Sequence, residues 1–229
     1  MKDASPREIV SRRSRPAKAP LSRDVIVSSA LEIVDREGLA GLSLRRVATA
    51  LDTGAASLYV YLTNLDELHA LMLDQALSAV QLPKGRKLSW RKRLKAFLLS
   101  YLHVLYDRRG LAQLALSTIS SGPHTLRIWE RLLGLLKEGG VDDAKAVWGV
   151  DLLTLYVTAV AAEKSNWRES GEGPGRVKDA ILSASGEEFP LVSALKEALL
   201  SGDAEVRLDW ALDVLIDGIV GGKLPRVGS

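Results

Sequence analysis

Between Ser43 and Leu62 the chain offers two helical segments of only about two turns each, separated by Asp52-Thr53-Gly54. Ser43 stands where a helix N-cap is wanted, and Val47, Ala48 and Leu51 then recur at helical spacing, leaving Arg45 and Arg46 on the outer side. The break follows, with Gly54 supplying backbone freedom. Residues 55–62 form the second segment, Leu58 turned inward and Ser57, Tyr59 and Tyr61 turned elsewhere. Such a pair, with arginine and tyrosine on its solvent side, reads as a helix-turn-helix whose second helix can enter a DNA major groove. A small helical hairpin serving only as core is the competing reading.

The charge distribution bears on that choice. The 229-residue chain carries a net charge of +3, yet its first 24 residues hold seven basic and three acidic side chains, a net of +4 that leaves −1 for the remainder. Positive charge beside the two short helices favours nucleic acid over an acidic small substrate. With 47% hydrophobic and 26% charged residues the balance is that of an ordinary globular protein able to bury a substantial core. No run of about 18 uncharged apolar residues suggests a membrane span, and the N-terminus lacks the apolar stretch of a signal peptide. Zero cysteines exclude disulfides and thiolate metal sites, so nothing opposes a cytoplasmic location.

The remaining pattern is helical throughout. Residues 1–20, with three prolines and few large apolar side chains, read as a disordered basic arm. Residues 21–37 form a first helix capped by Ser22 and stopped by Gly38. A fourth helix is capped by Asn64 or Thr63, with Glu67 completing a capping box, and runs to about Leu82 before Pro83-Lys84-Gly85. A domain boundary is expected there, with a DNA-binding domain over 21–82 and a second helical domain over 83–229. Further helices are expected over 89–106, 111–119, 125–137, 142–167, 177–183, 191–200 and 203–220, and no stretch alternates convincingly as a strand.

LSLRRVATALDTGAASLYVYLTNLDEL is similar to the DNA-binding segment of the TetR, or tetracycline-repressor-like, family of bacterial transcriptional regulators. The family pattern is met at Ser43, Arg45, Ala48, Ser57, Leu58, Tyr59, Tyr61, Asn64, Glu67 and Leu68. The closing stretch from Glu187 to Gly222 resembles the branch nearest the tetracycline repressor, with Phe189-Pro190 before the last helix and Asp217-Gly218 within it. The resemblance implies an all-α homodimer. Two N-terminal three-helix reading heads would sit on successive major grooves of a palindromic operator, each joined by a long helix to a C-terminal ligand-binding and dimerisation domain. A small-molecule inducer in that domain lowers operator affinity by thermodynamic coupling.

Carried onto this sequence, the resemblance implies DNA contacts from Arg23, Ser43, Arg45, Ala55, Ala56, Ser57, Tyr59, Val60 and Tyr61. Arg45 meets a base edge or phosphate, Ser43 and Tyr59 hold phosphates, and Ser57, Val60 and Tyr61 face the groove. Three departures alter the expectation. Asp52 replaces the usual turn glycine, which Asp tolerates because it visits left-handed backbone readily. Ala55 and Ala56 stand where relatives often present larger readers, and alanine can only touch a thymine methyl. Leu65 replaces a phosphate-binding lysine, beside Asp66 and Glu67.

For the effector, the resemblance points to Tyr101, His103, Trp129, Trp148, Thr154 and Thr158, with Tyr156, as polar-edged or aromatic residues on pocket-lining helices. Residues 111–121 contain no histidine to hold a metal-bound drug, so tetracycline with magnesium is not expected. No cofactor or metal is implied. The helices over 142–167 and 203–220 would form a four-helix dimer interface from Leu152, Leu153, Tyr156, Val160, Trp210, Leu212, Leu215, Ile216 and Ile219, with an intramolecular core competing for part of that set. Two readings of other classes stand beside this one, a helical enzyme and a protein-binding adaptor. Against the enzyme, His69, His103 and His124 are far apart, and no glycine-rich phosphate loop or nucleophile elbow occurs.

Overall fold

The structure, a computed structural model, describes residues 20–81 and 88–225. The basic arm and the segment after the fourth helix lie outside them. Twelve α-helices follow one another without a strand among the described residues.

The N-terminal head contains α1 (Arg23–Glu37), α2 (Leu44–Ala50) and α3 (Ala55–Leu58). Ser22 caps α1 by accepting from the Val25 amide, and Gly38 ends it at φ 77, in the left-handed region. Ile26, Ala30, Ile33 and Val34 recur at helical spacing on one face, and all four are buried with Val47, Ala48, Leu58 and Leu62 beneath them. Ser43 caps α2 through the Arg46 amide. In the turn, Asp52 takes the left-handed conformation (φ 49), whereas Gly54 is extended. The turn's conformational demand therefore falls on the aspartate, and Gly54 serves as the cap of α3. Beyond Leu58 the chain turns less regularly than the expected helix to Leu62, with the Tyr61 and Leu62 amides both donating to the Leu58 carbonyl.

Helix α4 (Leu65–Leu77) begins at Asn64, whose side chain accepts from the Glu67 amide at 2.8 Å. Its α-helical hydrogen bonding stops five residues short of Leu82. The amides of Ser78, Ala79 and Val80 donate three residues back, the tightened geometry in which helices often finish. The body comprises α5 (Trp90–Asp107), α6 (Leu111–Ser117), α7 (Pro123–Glu138) and α8 (Asp143–Ser170), followed by α9 (Gly175–Ser183), α10 (Pro190–Ala194), α11 (Lys196–Leu200) and α12 (Ala204–Gly221). The single helix expected over 191–200 is two, interrupted at Leu195.

Helix α8 is the centre of the body, packed by α5, α6, α7 and α12. By length and apolar composition it could cross a membrane. Its face carrying Val150, Leu153, Val157 and Ala161 is instead consumed by neighbouring helices. Helix α12 is strapped to α5 by charge. Lys95 reaches Asp209 and Asp213 at 2.6 and 3.0 Å, and Arg91 reaches Asp217 at 2.6 Å. Burial presses the Lys95 ammonium toward deprotonation, but its two carboxylate partners outweigh this, and its pKa is raised. The excursion α9 to α11 differs from everything else: it packs on itself, and none of its residues is buried.

Candidate nucleic-acid interface and effector-binding core

With Val47, Ala48 and Leu58 committed to the core and Leu44, Leu51 and Ala55 packed against it, the remaining side chains of the α2–turn–α3 unit are half-buried or exposed. Arg45 is exposed on α2, and Ala56, Tyr59 (59%) and Val60 (79%) are exposed on and just after α3. A cationic fork, a phenol and two small apolar side chains thus share one outer surface. These groups can meet phosphates, base edges and thymine methyls. Arg46 is committed differently, to an ion pair with Glu37 of α1.

The other residues expected at DNA are less free. Ser43 is half-buried and its hydroxyl is occupied by the cap. Ala55 and Tyr61 pack against the head's core, and Ser57 is half-buried. Arg23 is held inside the head's own framework, its Nε donating to the Tyr61 carbonyl at 2.8 Å and its Nη2 pairing with Glu67 at 3.1 Å. Glu67 also accepts from the Thr63 amide at 2.6 Å. This differs from the expected box, because the carboxylate reaches Thr63 one residue before the cap. That backbone bond, reinforced by the Thr63 side chain and Arg23, lowers the Glu67 pKa.

In the body, the residues expected at the effector separate into three groups. Tyr101 of α5 and Thr158 of α8 meet in the core, their hydroxyls 3.0 Å apart. Burial raises the Tyr101 pKa, partly offset by the Thr158 bond. Thr154 is half-buried and donates back to the Val150 carbonyl of its own helix at 2.8 Å. His103, Trp129 and Trp148 are exposed, and Trp148 lines the groove between α8 and α12 rather than the body's interior. The one-sided periodicity of α5 accounts for His103: Leu98, Tyr101, Leu102 and Leu105 take the inward positions.

Two polar features carried no motif. Gln113 of α6 donates to Asn166 at 2.6 Å and to the Ala162 carbonyl at 3.4 Å, tying α6 to the end of α8. Asp74 of α4 is buried at the first turn of α7. The only sequence signal for Asp74 is a charge directly after the apolar run Leu71-Met72-Leu73. Among the described residues, no group of three or more histidines and carboxylates is placed to hold a metal ion.

An all-helical body carrying an N-terminal helix-turn-helix with an exposed arginine–tyrosine surface defines a transcriptional regulator. The profile described as "Tetracyclin repressor-like, C-terminal domain" matches residues 82–221, more than half of the chain. The HTH-type transcriptional repressor DrrR1 of Streptomyces coeruleorubidus is 31% identical over 223 residues, covering 91% of this chain and 80% of its own. A protein of Streptomyces coelicolor solved as a transcription regulator, SCO7704, is 39% identical with a TM-score of 0.76, covering 92% of this chain and all of its own. The TetR family protein ActR of Streptomyces coelicolor, solved in complex with actinorhodin, is 35% identical with a TM-score of 0.81, covering 89% and 99% of the two chains. The chain belongs to the tetracycline-repressor-like family of transcriptional regulators.

Proposed function

We propose that the protein is a repressor that binds a palindromic operator as a homodimer and is released by a small-molecule inducer. The observation that carries the DNA-binding half is the exposed surface of Arg45, Ala56, Tyr59 and Val60 on a unit held in place by the buried Val47, Ala48 and Leu58. Arg45, Tyr59 and Val60 are the direct contacts in this reading. Ser43, Ala55, Ser57 and Tyr61 shape the unit and offer backbone or edge contacts, and Arg23 fixes the entrance to α4. The head corresponds to residues 21–82 and the effector and dimer body to residues 83–229.

The homodimer is supported by apolar surface left without a cover. Trp148, Leu152 and Leu155 on α8, with Trp210 and Val214 on α12, are exposed along a groove of about 750 Å³ between those helices and beside it. Leu153, Leu212, Ile216 and Ile219, expected in the same interface, are core of the single chain. The effector half is supported by the Tyr101–Thr158 pair, a buried polar site among apolar helices, and by the relative ActR, which was solved with actinorhodin.

The deciding experiment is binding of the purified protein to the DNA upstream of its own gene, followed by fluorescence anisotropy. Specific binding to a palindrome is expected, and Arg45→Ala should weaken it by about 1–3 kcal/mol. Genomic selection that recovers no palindromic sequence would overturn the reading.

A further inference from the structure

Helix α7 starts without a side-chain cap of its own. Its N-cap residue is Gly122, and the free amides of its first turn point toward α4. There they meet Asp74, whose side chain is only 6% exposed. Oδ1 accepts from the Thr125 amide at 2.9 Å and Oδ2 from the His124 amide at 3.3 Å. The Thr125 and Ser120 hydroxyls, 2.8 Å from each other, lie 3.1 and 3.4 Å from Oδ1. No lysine or arginine pairs with this carboxylate among the described ion pairs. The positive end of a 16-residue helix and two hydroxyls stand in for a cation. Gly122 is required by this arrangement. A Cβ there would fall 2.2 Å from the Asp74 Cγ, although its backbone, at φ −77, would suit any residue.

From these contacts we propose that Asp74 is a positioning residue that fixes the inclination of α4, and with it the reading head, to the first turn of α7. The proposal deepens the repressor reading above and rests on it for its consequence at DNA. The two kinds of contact between α4 and the body differ in stiffness. The apolar packing of α4 on α5, α6 and α7 is non-directional and tolerates sliding. The Asp74 bonds are directional, and breaking them leaves an unsatisfied buried charge. Helix α4 must therefore follow α7. Asp74 lies about 14 Å along α4 from its first residue, at the far end of the helix from the head it carries. Helix α7 places Ile128 and Leu132 in the body's core and packs against α5 and α8, the helices that hold Tyr101 and Thr158. A molecule that spreads those helices displaces α7, and Asp74 transmits the displacement. Two other polar ties join head and body: past the end of α4 the Gln81 amide donates to Ser100 Oγ of α5 at 3.0 Å, and Asp35 meets Arg108 at 3.5 Å in a solvent-accessible and correspondingly weak pair.

The test measures the distance between head and body within one protomer. The chain has no cysteine, so Ala50→Cys on α2 and Glu130→Cys on α7 give two spin-label sites. Labelled full-length chain is diluted into unlabelled chain so that only intra-protomer distances are read. In Asp74→Asn the distance distribution should broaden or shift while helix content by circular dichroism is retained. Operator affinity should fall roughly tenfold or more. Should Asp74→Asn not fold, Thr125→Val combined with Ser120→Ala removes both hydroxyls but keeps the amides, and a smaller broadening is expected. An unchanged distribution in whichever of these variants folds would overturn the proposal. A broadened distribution in Asp74→Asn, together with a parent protein that binds no operator, would uphold the joint and sink the repressor reading.

Discussion

Glu67 closes the entrance to α4 with a single carboxylate. It accepts from the Thr63 amide, pairs with Arg23, and so ties the first and fourth helices to the loop that follows the reading helix. Its pKa is lowered in the fold. The stabilisation is therefore full above the ordinary value of 4.5 and is lost as pH falls through the lower folded value. Glu67→Gln should flatten the acid side of the stability–pH profile, measured by thermal melts from neutral pH downward, with little change at neutral pH in the profile's shape. This residue was half legible in the sequence. Asn64 followed by Glu67 announces a capping box, but the carboxylate's reach to Thr63 and the capture of Arg23 depend on how α1 crosses α4. The same crossing removes Arg23 from the pool of free cations, which its position in a basic stretch had concealed.

The elements were read more securely than the contacts between them. Ser22 and Ser43 cap the helices they were expected to cap, Asn64 rather than Thr63 caps α4, and Ser89, Asp142 and Asp203 cap α5, α8 and α12 at the expected starts of those helices, because capping is decided within three residues. The end of α4 and the break at Leu195 were not legible, since neither has a glycine or proline at the point of interruption. Asn64→Ala should cost about 1 kcal/mol in denaturant unfolding through loss of the α4 cap. Leu132 of α7 is fully buried, and Leu132→Ala should cost about 2–5 kcal/mol by the same measurement. The candidate effector residues show the limit of local reasoning. Periodicity could have turned His103 outward from α5 beforehand, whereas the meeting of Tyr101 with Thr158, 57 residues apart, needed the packed body.

At the level of the whole molecule, apolar surface decides the assembly. The exposed Trp148, Leu155 and Trp210 lie on helices α8 and α12, whose inward faces are already filled. Light scattering at micromolar concentration should give twice the 24.8 kDa chain mass, and Leu155→Glu with Trp210→Glu should return it to a single chain's mass with helix content preserved. A parent protein already at the single-chain mass would contradict the dimer. The excursion from α9 to α11 hangs between those same two helices and contributes nothing to the core of its own chain. Insertions, deletions or apolar-to-polar exchanges there should lower the protomer's melting temperature less than the same changes in α5 or α8, measured by thermal unfolding. Of the described residues, those from Gly175 to Leu200 are where a change of chain length strains the core of the protomer least.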